Sequence, residues 1–253
     1  MPFVETRTGA RLYYDEAGAG QPVVLLHGLM DVPRIHLKAV IDWLSADYHV
    51  IAPSLRGYYQ STPKPRTFPP GFYRRDAEDV LAFVEALALE PAHLLGYSDG
   101  GEVALIAAGL EPERFRSAAV WGAVGYFGPD MYAAAERSYP GDWIPEADRA
   151  LHGIADINAV MRQWVDSVQA MVAAGGDVSL GLAAGITCPL LLLLGDGDRL
   201  NPEAYGQRLA DLAPDGRLVM VADCGHAIHK QQWEQFCSVV GAFLRAAGGW
   251  RAV

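Results

Sequence analysis

Short apolar runs alternate along this chain with longer amphipathic stretches. Residues 3–6 and 11–14 flank Thr8-Gly9 and predict an antiparallel hairpin. Pro22-Val23-Val24-Leu25-Leu26 is a buried strand ending at His27-Gly28, residues 35–44 have helical spacing, and residues 48–52 form the next strand. After a Pro- and Gly-rich loop over 53–71, residues 76–89 set Val80, Phe83, Val84 and Leu87 on one helical face. A strand at 92–95 runs into Gly96-Tyr97-Ser98-Asp99-Gly100-Gly101, and a helix of small and apolar residues continues to about Leu110. Strands follow at 118–121, 190–194 and 218–221, with a closing helix over 230–244.

Strands alternating with helices imply an α/β fold: a mostly parallel sheet of about eight strands, helices on both faces and right-handed crossovers. The rhythm breaks over residues 125–185, which hold helical pieces and the aromatics Tyr126, Phe127, Tyr132, Trp143 and Trp164, but no convincing strand. So long an insertion is no idle loop. It reads as a helical cap, inserted after the sixth strand, over the carboxyl ends of the strands where open sheets bind ligands. The expected division is a core of 1–124 and 186–253 with a cap of 125–185.

A chain of 253 residues can bury a sizeable core without staples. Cys188, Cys224 and Cys237 fit neither a disulfide framework nor a zinc pattern and read as small buried hydrophobes. The formal charge of −10 disfavours nucleic acid. The first residues, Met1-Pro2-Phe3-Val4-Glu5, lack the basic-then-apolar pattern of a signal peptide, and no apolar run approaches a membrane span. These features predict a cytoplasmic protein, a monomer or small homo-oligomer, with a small-molecule partner.

The chemistry starts at Ser98. Gly96-Tyr97-Ser98-Asp99-Gly100 fits G-x-S-x-G between a strand and a helix, a turn that pushes the serine hydroxyl clear of the sheet. The flanking glycines are required because that turn crowds the backbone two residues either side. A serine needs a base to take its proton and a carboxylate to orient the base, following in the order serine, acid, histidine. Gly195-Asp196-Gly197-Asp198 and Ala222-Asp223-Cys224-Gly225-His226 lie at the carboxyl ends of the last two strands, where these partners belong.

In these motifs the chain resembles the α/β-hydrolase superfamily, in its serine esterase form. The resemblance implies Asp198 as acid, with Asp196 the runner-up, and His226 as base, while His229 reads as a surface or satisfied histidine. His27-Gly28-Leu29 resembles the family's His-Gly-x loop, which implies the backbone N–H groups of Leu29 and Asp99 as the oxyanion hole and a structural His27. Arg56-Gly57-Tyr58-Tyr59-Gln60-Ser61 is similar to the family's Arg-Gly-x-Gly-x-Ser loop, but Tyr59 stands where a glycine is usual and Ser54 where an aspartate is usual. Met30-Asp31 also replaces small residues after the oxyanion motif.

Relatives that open haloalkanes or epoxides carry an aspartate at the Ser98 position, so the serine implies an ester, thioester, lactone or activated amide. Ser98-Asp99-Gly100-Gly101 together with Gln163-Trp164-Val165-Asp166 resembles the valacyclovir hydrolase-like group, which cleaves amino-acid esters. That resemblance implies that Asp99 holds a substrate ammonium group. Asp99, Met30, Tyr126, Trp143, Trp164 and Leu200 are the expected pocket residues. The expected function is ester hydrolysis through an acyl-enzyme with no metal or cofactor. An aminopeptidase, amidase or lactonase on the same residues is the enzymatic alternative, and a small-molecule receptor retaining them is the alternative outside catalysis.

Overall fold

The computed structural model describes residues 2–89 and 91–248. Eight strands form one sheet in the order β1-β2-β4-β3-β5-β6-β7-β8. They are β1 (Phe3–Glu5), β2 (Arg11–Ala17), β3 (Gln21–Leu26), β4 (Tyr48–Pro53), β5 (Ala92–Tyr97), β6 (Phe115–Trp121), β7 (Leu190–Gly195) and β8 (Gly216–Val221). β1 pairs with β2, and β2 with β4, antiparallel; every other neighbouring pair is parallel. The mostly parallel α/β sheet with an antiparallel start is therefore the architecture the sequence pattern predicts.

Alternation along each strand divides the core between the two faces. Val24, Leu26, Leu94, Leu190 and Leu192 face one side, where α3 (Phe72–Ala86), α4 (Asp99–Leu110) and α8 (Glu203–Leu212) pack. Val23, Leu25, Leu95, Leu191 and Leu193 face the other, against α2 (Lys38–Leu44) and α10 (Trp233–Gly248). A strand buried on both faces is mostly apolar, which is why β7 reads as an unbroken run; β5 also buries His93, whose Nδ1 is hydrogen-bonded to the Ser117 hydroxyl at 2.7 Å.

Helix ends depart from expectation where local geometry intervenes. The helix expected over 35–44 is two pieces, α1 (Pro33–His36) and α2, separated by Leu37 at φ −109° and ψ 16°. The expected 76–89 helix begins a turn earlier, at Phe72, after Gly71 in the left-handed conformation. The closing helix is likewise interrupted: α9 (Ile228–Gln231) ends at Gln232 and α10 starts at Trp233. Between β6 and β7 lie α5 (Pro129–Glu136), α6 (Glu146–His152) and α7 (Ile157–Ala173), with 3-10 turns at Gly141–Trp143 and Leu180–Gly185. Tyr126 and Asp177 form an isolated bridge at the base of this insertion. Among the described residues no helix is long and apolar enough to cross a membrane.

Two buried polar clusters hold loops near the carboxyl edge of the sheet. Arg66, 2% exposed, pairs with Asp76 on α3 at 2.6 Å, and its guanidinium lies over the rings of Tyr58 and Phe68. Its Nη1 also donates to the Arg56 carbonyl, fixing the loop before α3. Glu102 on α4 accepts the backbone N–H groups of Val124 and Gly125 through Oε1, fixing the loop after β6. Burial pushes the Glu102 carboxyl up to about 7, against the lowering effect of those N–H donors.

Each cluster has a measurable consequence. Arg66→Met leaves the buried Asp76 carboxylate with only the partly exposed Arg75, 3.1 Å from Oδ1, as its remaining ion-pair partner among the described residues, and is expected to destabilise the fold by up to about 3–5 kcal/mol in urea unfolding, with a large part regained in Arg66→Met/Asp76→Leu. A double variant no more stable than the single one contradicts this account. The folded-state pKa of Glu102 is raised, so its contribution is full below the unfolded value and is lost as pH rises through about 7. Glu102→Gln keeps the acceptor and removes the charge, so its stability should gain on wild type between pH 5 and pH 8. An equal difference at both pH values rules that out.

Candidate active site

The turn between β5 and α4 lifts Ser98 above the sheet edge. Ser98 sits at φ 53° and ψ −122°, a left-handed conformation that costs a non-glycine residue about 1–3 kcal/mol. Its N–H donates to the Trp121 carbonyl, and its own carbonyl starts α4 by accepting from Gly101 and Glu102. The glycines are required by contact distance: a Cβ on Gly96 would lie 2.3 Å from the Gly100 carbonyl oxygen, and one on Gly100 would lie 2.4 Å from that of His27.

Ser98 Oγ donates to His226 Nε2 at 2.9 Å, and His226 Nδ1 donates to Asp198 Oδ2 at 2.9 Å. The three side chains come from the ends of β5, β7 and β8, brought together by their parallel alignment. Such a relay can remove a hydroxyl proton to an imidazole while a carboxylate balances the imidazolium. Asp198 Oδ1 also accepts the Leu200 N–H, and Oδ2 accepts Asn201 Nδ2 at 2.9 Å. Burial alone would raise the Asp198 pKa, but the His226 and Asn201 donors and the Leu200 N–H hold it below the usual carboxylate value. Asp196 instead accepts the Cys224 N–H and ties the two loops together.

Two contributors escape the sequence motifs. Asn201 shares Asp198 Oδ2 with His226, a role signalled only by a polar side chain three residues after the acid. Gly122, at φ 67°, leaves room for the imidazole, since a Cβ there would lie 2.8 Å from His226 Cε1. His229 is buried, accepting the Trp121 indole N–H at Nδ1, and takes no part in the relay.

A cavity of about 280 Å³ opens on Ser98 and His226 and is lined by Leu29, Asp99, Trp143, Trp164 and Leu200 among others. Phe127 and Met131 of the insertion also line it. Two expected pocket residues lie elsewhere. Met30 is 3% exposed and packed in the core because its left-handed backbone turns the side chain inward, and Tyr126 packs edge-on against Tyr205. Trp143 is 56% exposed, held by its indole N–H on the Ser138 carbonyl.

Asp99 forms the polar floor. Its carboxylate accepts Tyr73 Oη–H at 2.7 Å and Trp164 Nε1–H at 3.1 Å, joining α3, α4 and α7. Burial pushes the Asp99 pKa up, opposed by these donors and by the Arg66 charge.

The loop after β3 borders the same cavity. His27 Nδ1 donates to the Gly28 carbonyl at 2.8 Å, and His27 Nε2 accepts the Leu55 N–H at 3.0 Å. Burial lowers the His27 pKa to about 3, which keeps the ring neutral and able to make both bonds. In a trans peptide the N–H points opposite to the carbonyl, so holding the Gly28 carbonyl also sets the direction of the Leu29 N–H. Among the described residues no group of three or more His, Cys, Asp or Glu side chains could hold a metal ion.

The sequence profile described as "Alpha/beta hydrolase family" matches residues 23–239. Serine hydrolase BPHL of Mus musculus is 29% identical over 248 residues, covering 94% of this chain and 84% of the relative, and its Homo sapiens counterpart is 29% identical over 244 residues with the same coverage. A thermophilic esterase from Thermogutta terrifontis superposes with a TM-score of 0.73 at 24% identity, over 97% of this chain and 98% of the other, a likeness of fold. The sheet order, the serine turn and this match over most of the chain agree: the protein belongs to the alpha/beta hydrolase family and is a hydrolase enzyme.

Proposed function

We propose that the protein hydrolyses small carboxylic esters through an acyl-enzyme formed on Ser98. The observation that carries this reading is the unbroken hydrogen-bonded relay from Ser98 through His226 to Asp198, opening directly onto a cavity. His226 takes the Ser98 proton as the hydroxyl attacks the ester carbonyl, and returns it to the departing alcohol. The resulting acyl-enzyme is cleared by a water that His226 activates in the same way. The backbone N–H groups of Leu29 and Asp99 receive the tetrahedral oxyanion. For Asp99, the start of α4 adds its dipole to the donor. Residues 125–185 act as the cap on the core of 1–124 and 186–253, and with Phe127, Trp143 and Trp164 close the cavity over the acyl group.

The cavity volume, near the lower end of ligand sites, favours a small substrate. Asp99 supports the narrower reading, an amino-acid ester whose ammonium group sits on its carboxylate. Tyr73 and Trp164 each occupy one oxygen, leaving lone pairs for a further donor. The similarity to serine hydrolase BPHL over most of both chains supports the serine mechanism.

Hydrolysis of a short-chain p-nitrophenyl ester tests the mechanism. Ser98→Ala is expected to lower kcat by on the order of 10⁴–10⁶. Equal slow rates for wild type and variant would overturn it. The substrate class is tested with an alanyl ester and its propionyl analogue, which lacks the ammonium. Asp99→Asn should lower kcat/KM for the alanyl ester by about tenfold or more, roughly 1.4 kcal/mol, and change the propionyl ester little. If wild type hydrolyses the two esters equally well, the ammonium reading is lost.

A further inference from the structure

His152, the last residue of α6, is 1% exposed and sits where the insertion meets the core. Its Nε2–H donates to the Met30 carbonyl at 3.0 Å, and its Nδ1 accepts the Tyr59 backbone N–H at 3.0 Å. Burial holds the ring below the ordinary imidazole pKa, so it stays neutral and Nδ1 remains an acceptor. Both backbone partners are unusual. Met30 at φ 58° and Tyr59 at φ 45° are non-glycine residues in the left-handed region. They are also positions where this chain departs from the small or glycine residues of its family's loops. One imidazole thus grips both strained turns.

The ring is itself held in place. Lys64 Nζ donates to the His152 carbonyl at 2.6 Å, and Gly153 at φ 66° ends the helix behind it. The His152 ring packs edge-on against Tyr58 at 5.2 Å between centroids, and Tyr58 packs against His27 at 5.0 Å. The loop after β3 is therefore braced from two directions: His27 holds the Gly28 carbonyl from within the core, and His152 holds the Met30 carbonyl from the insertion. The Leu29 N–H lies in the backbone between those two fixed carbonyls.

We propose that His152 is a positioning residue for the oxyanion loop, through which docking of the helical insertion sets the direction of the Leu29 N–H. This rests on the esterase reading for its catalytic consequence, but its structural half stands apart from it. A residue of the insertion that touches no substrate then controls transition-state stabilisation while leaving ground-state binding alone. Loss of an oxyanion donor typically costs 10²–10³ in rate, and a donor misdirected instead of removed costs less, about tenfold.

The test compares His152→Ala, His152→Gln and His152→Asn. Glutamine reaches the ε position and keeps a donor for Met30; asparagine reaches only the δ position and keeps an acceptor for Tyr59. Expected for alanine and asparagine is an about tenfold loss of kcat on a p-nitrophenyl ester with KM within about twofold. Affinity for an alkylboronic acid, whose tetrahedral adduct on Ser98 mimics the oxyanion, should weaken by the same factor, and glutamine should restore both. Retention of kcat by alanine and asparagine overturns the proposal, as does a loss that tracks melting temperature and is not recovered by glutamine. A wild type inert to both ester and boronic acid would instead refute the esterase reading. Amide hydrogen exchange over residues 28–31 then decides the structural half: faster exchange in asparagine than in glutamine supports the clamp, and equal exchange overturns it. The glutamine–asparagine pair keeps the test decisive should alanine fail to fold.

Discussion

Ser98 occupies a backbone conformation that only its surroundings can hold, and much of the chain is arranged around that constraint. The turn needs a strand that cannot move beneath it, which the fully buried β5 provides between β3 and β6. It also needs backbones in near contact, which excludes any side chain at Gly96 and Gly100. The Ser98 N–H on the Trp121 carbonyl ties the turn to β6, and from β6 the chain passes directly to Gly122, the residue that makes room for His226. The strain of one residue is thus offset by a parallel sheet, and that sheet's alignment delivers Asp198 and His226 to the same edge.

The pattern of apolar residues exposes the sheet because strands buried on both faces leave no choice of side chain. The runs of β3 and β7 are visible for that reason, and the Leu94-Leu95 centre of β5 with them, although β5 also admits His93 through its hydrogen bond to Ser117. Ser98, Asp198 and His226 stand out because turns at strand ends carry glycine and polar residues in fixed order. Helix ends are less legible, since Pro33 can start a helix but nothing local marks the break at Leu37 or Gln232. The insertion is legible as helical and aromatic, but sequence alone does not separate its side chains into lining and packing. Tyr126 and Trp164 look alike in sequence, yet one packs edge-on against Tyr205 and the other reaches Asp99. Met30 misled for a backbone reason, because a left-handed φ turns an apolar side chain away from the cavity its neighbours line. Asn201 and Gly122 act through partners distant in sequence, which no local pattern encodes.

Charge follows a different logic from the net balance. The surface can carry an excess of acid at little cost because water screens it, whereas each buried carboxyl needs its own donors. Asp99 has Tyr73, Trp164 and the nearby Arg66 charge; Asp198 has His226, Asn201 and the Leu200 N–H; Glu102 has two backbone N–H groups. The outcomes diverge with the supply. Asp198 is pulled below its ordinary value because its donors outweigh its burial, while Asp99 and Glu102 are pushed above theirs because burial wins.

That contrast bears on how the proposed chemistry divides between the carboxyls. A carboxylate that must balance an imidazolium has to stay ionised throughout turnover, which a lowered pKa secures. One that must receive a cation is better left short of donors, because an ammonium then supplies stabilisation the protein withholds. Asp99, raised by burial with its two hydrogen bonds drawn from neutral groups, retains that unmet demand. Arg66 limits it from behind, since its charge is already committed to Asp76 and reaches Asp99 without contributing a hydrogen bond. In the proposed amino-acid ester reading, a substrate ammonium is the group that would meet this demand, provided its attraction to Asp99 outweighs its own desolvation.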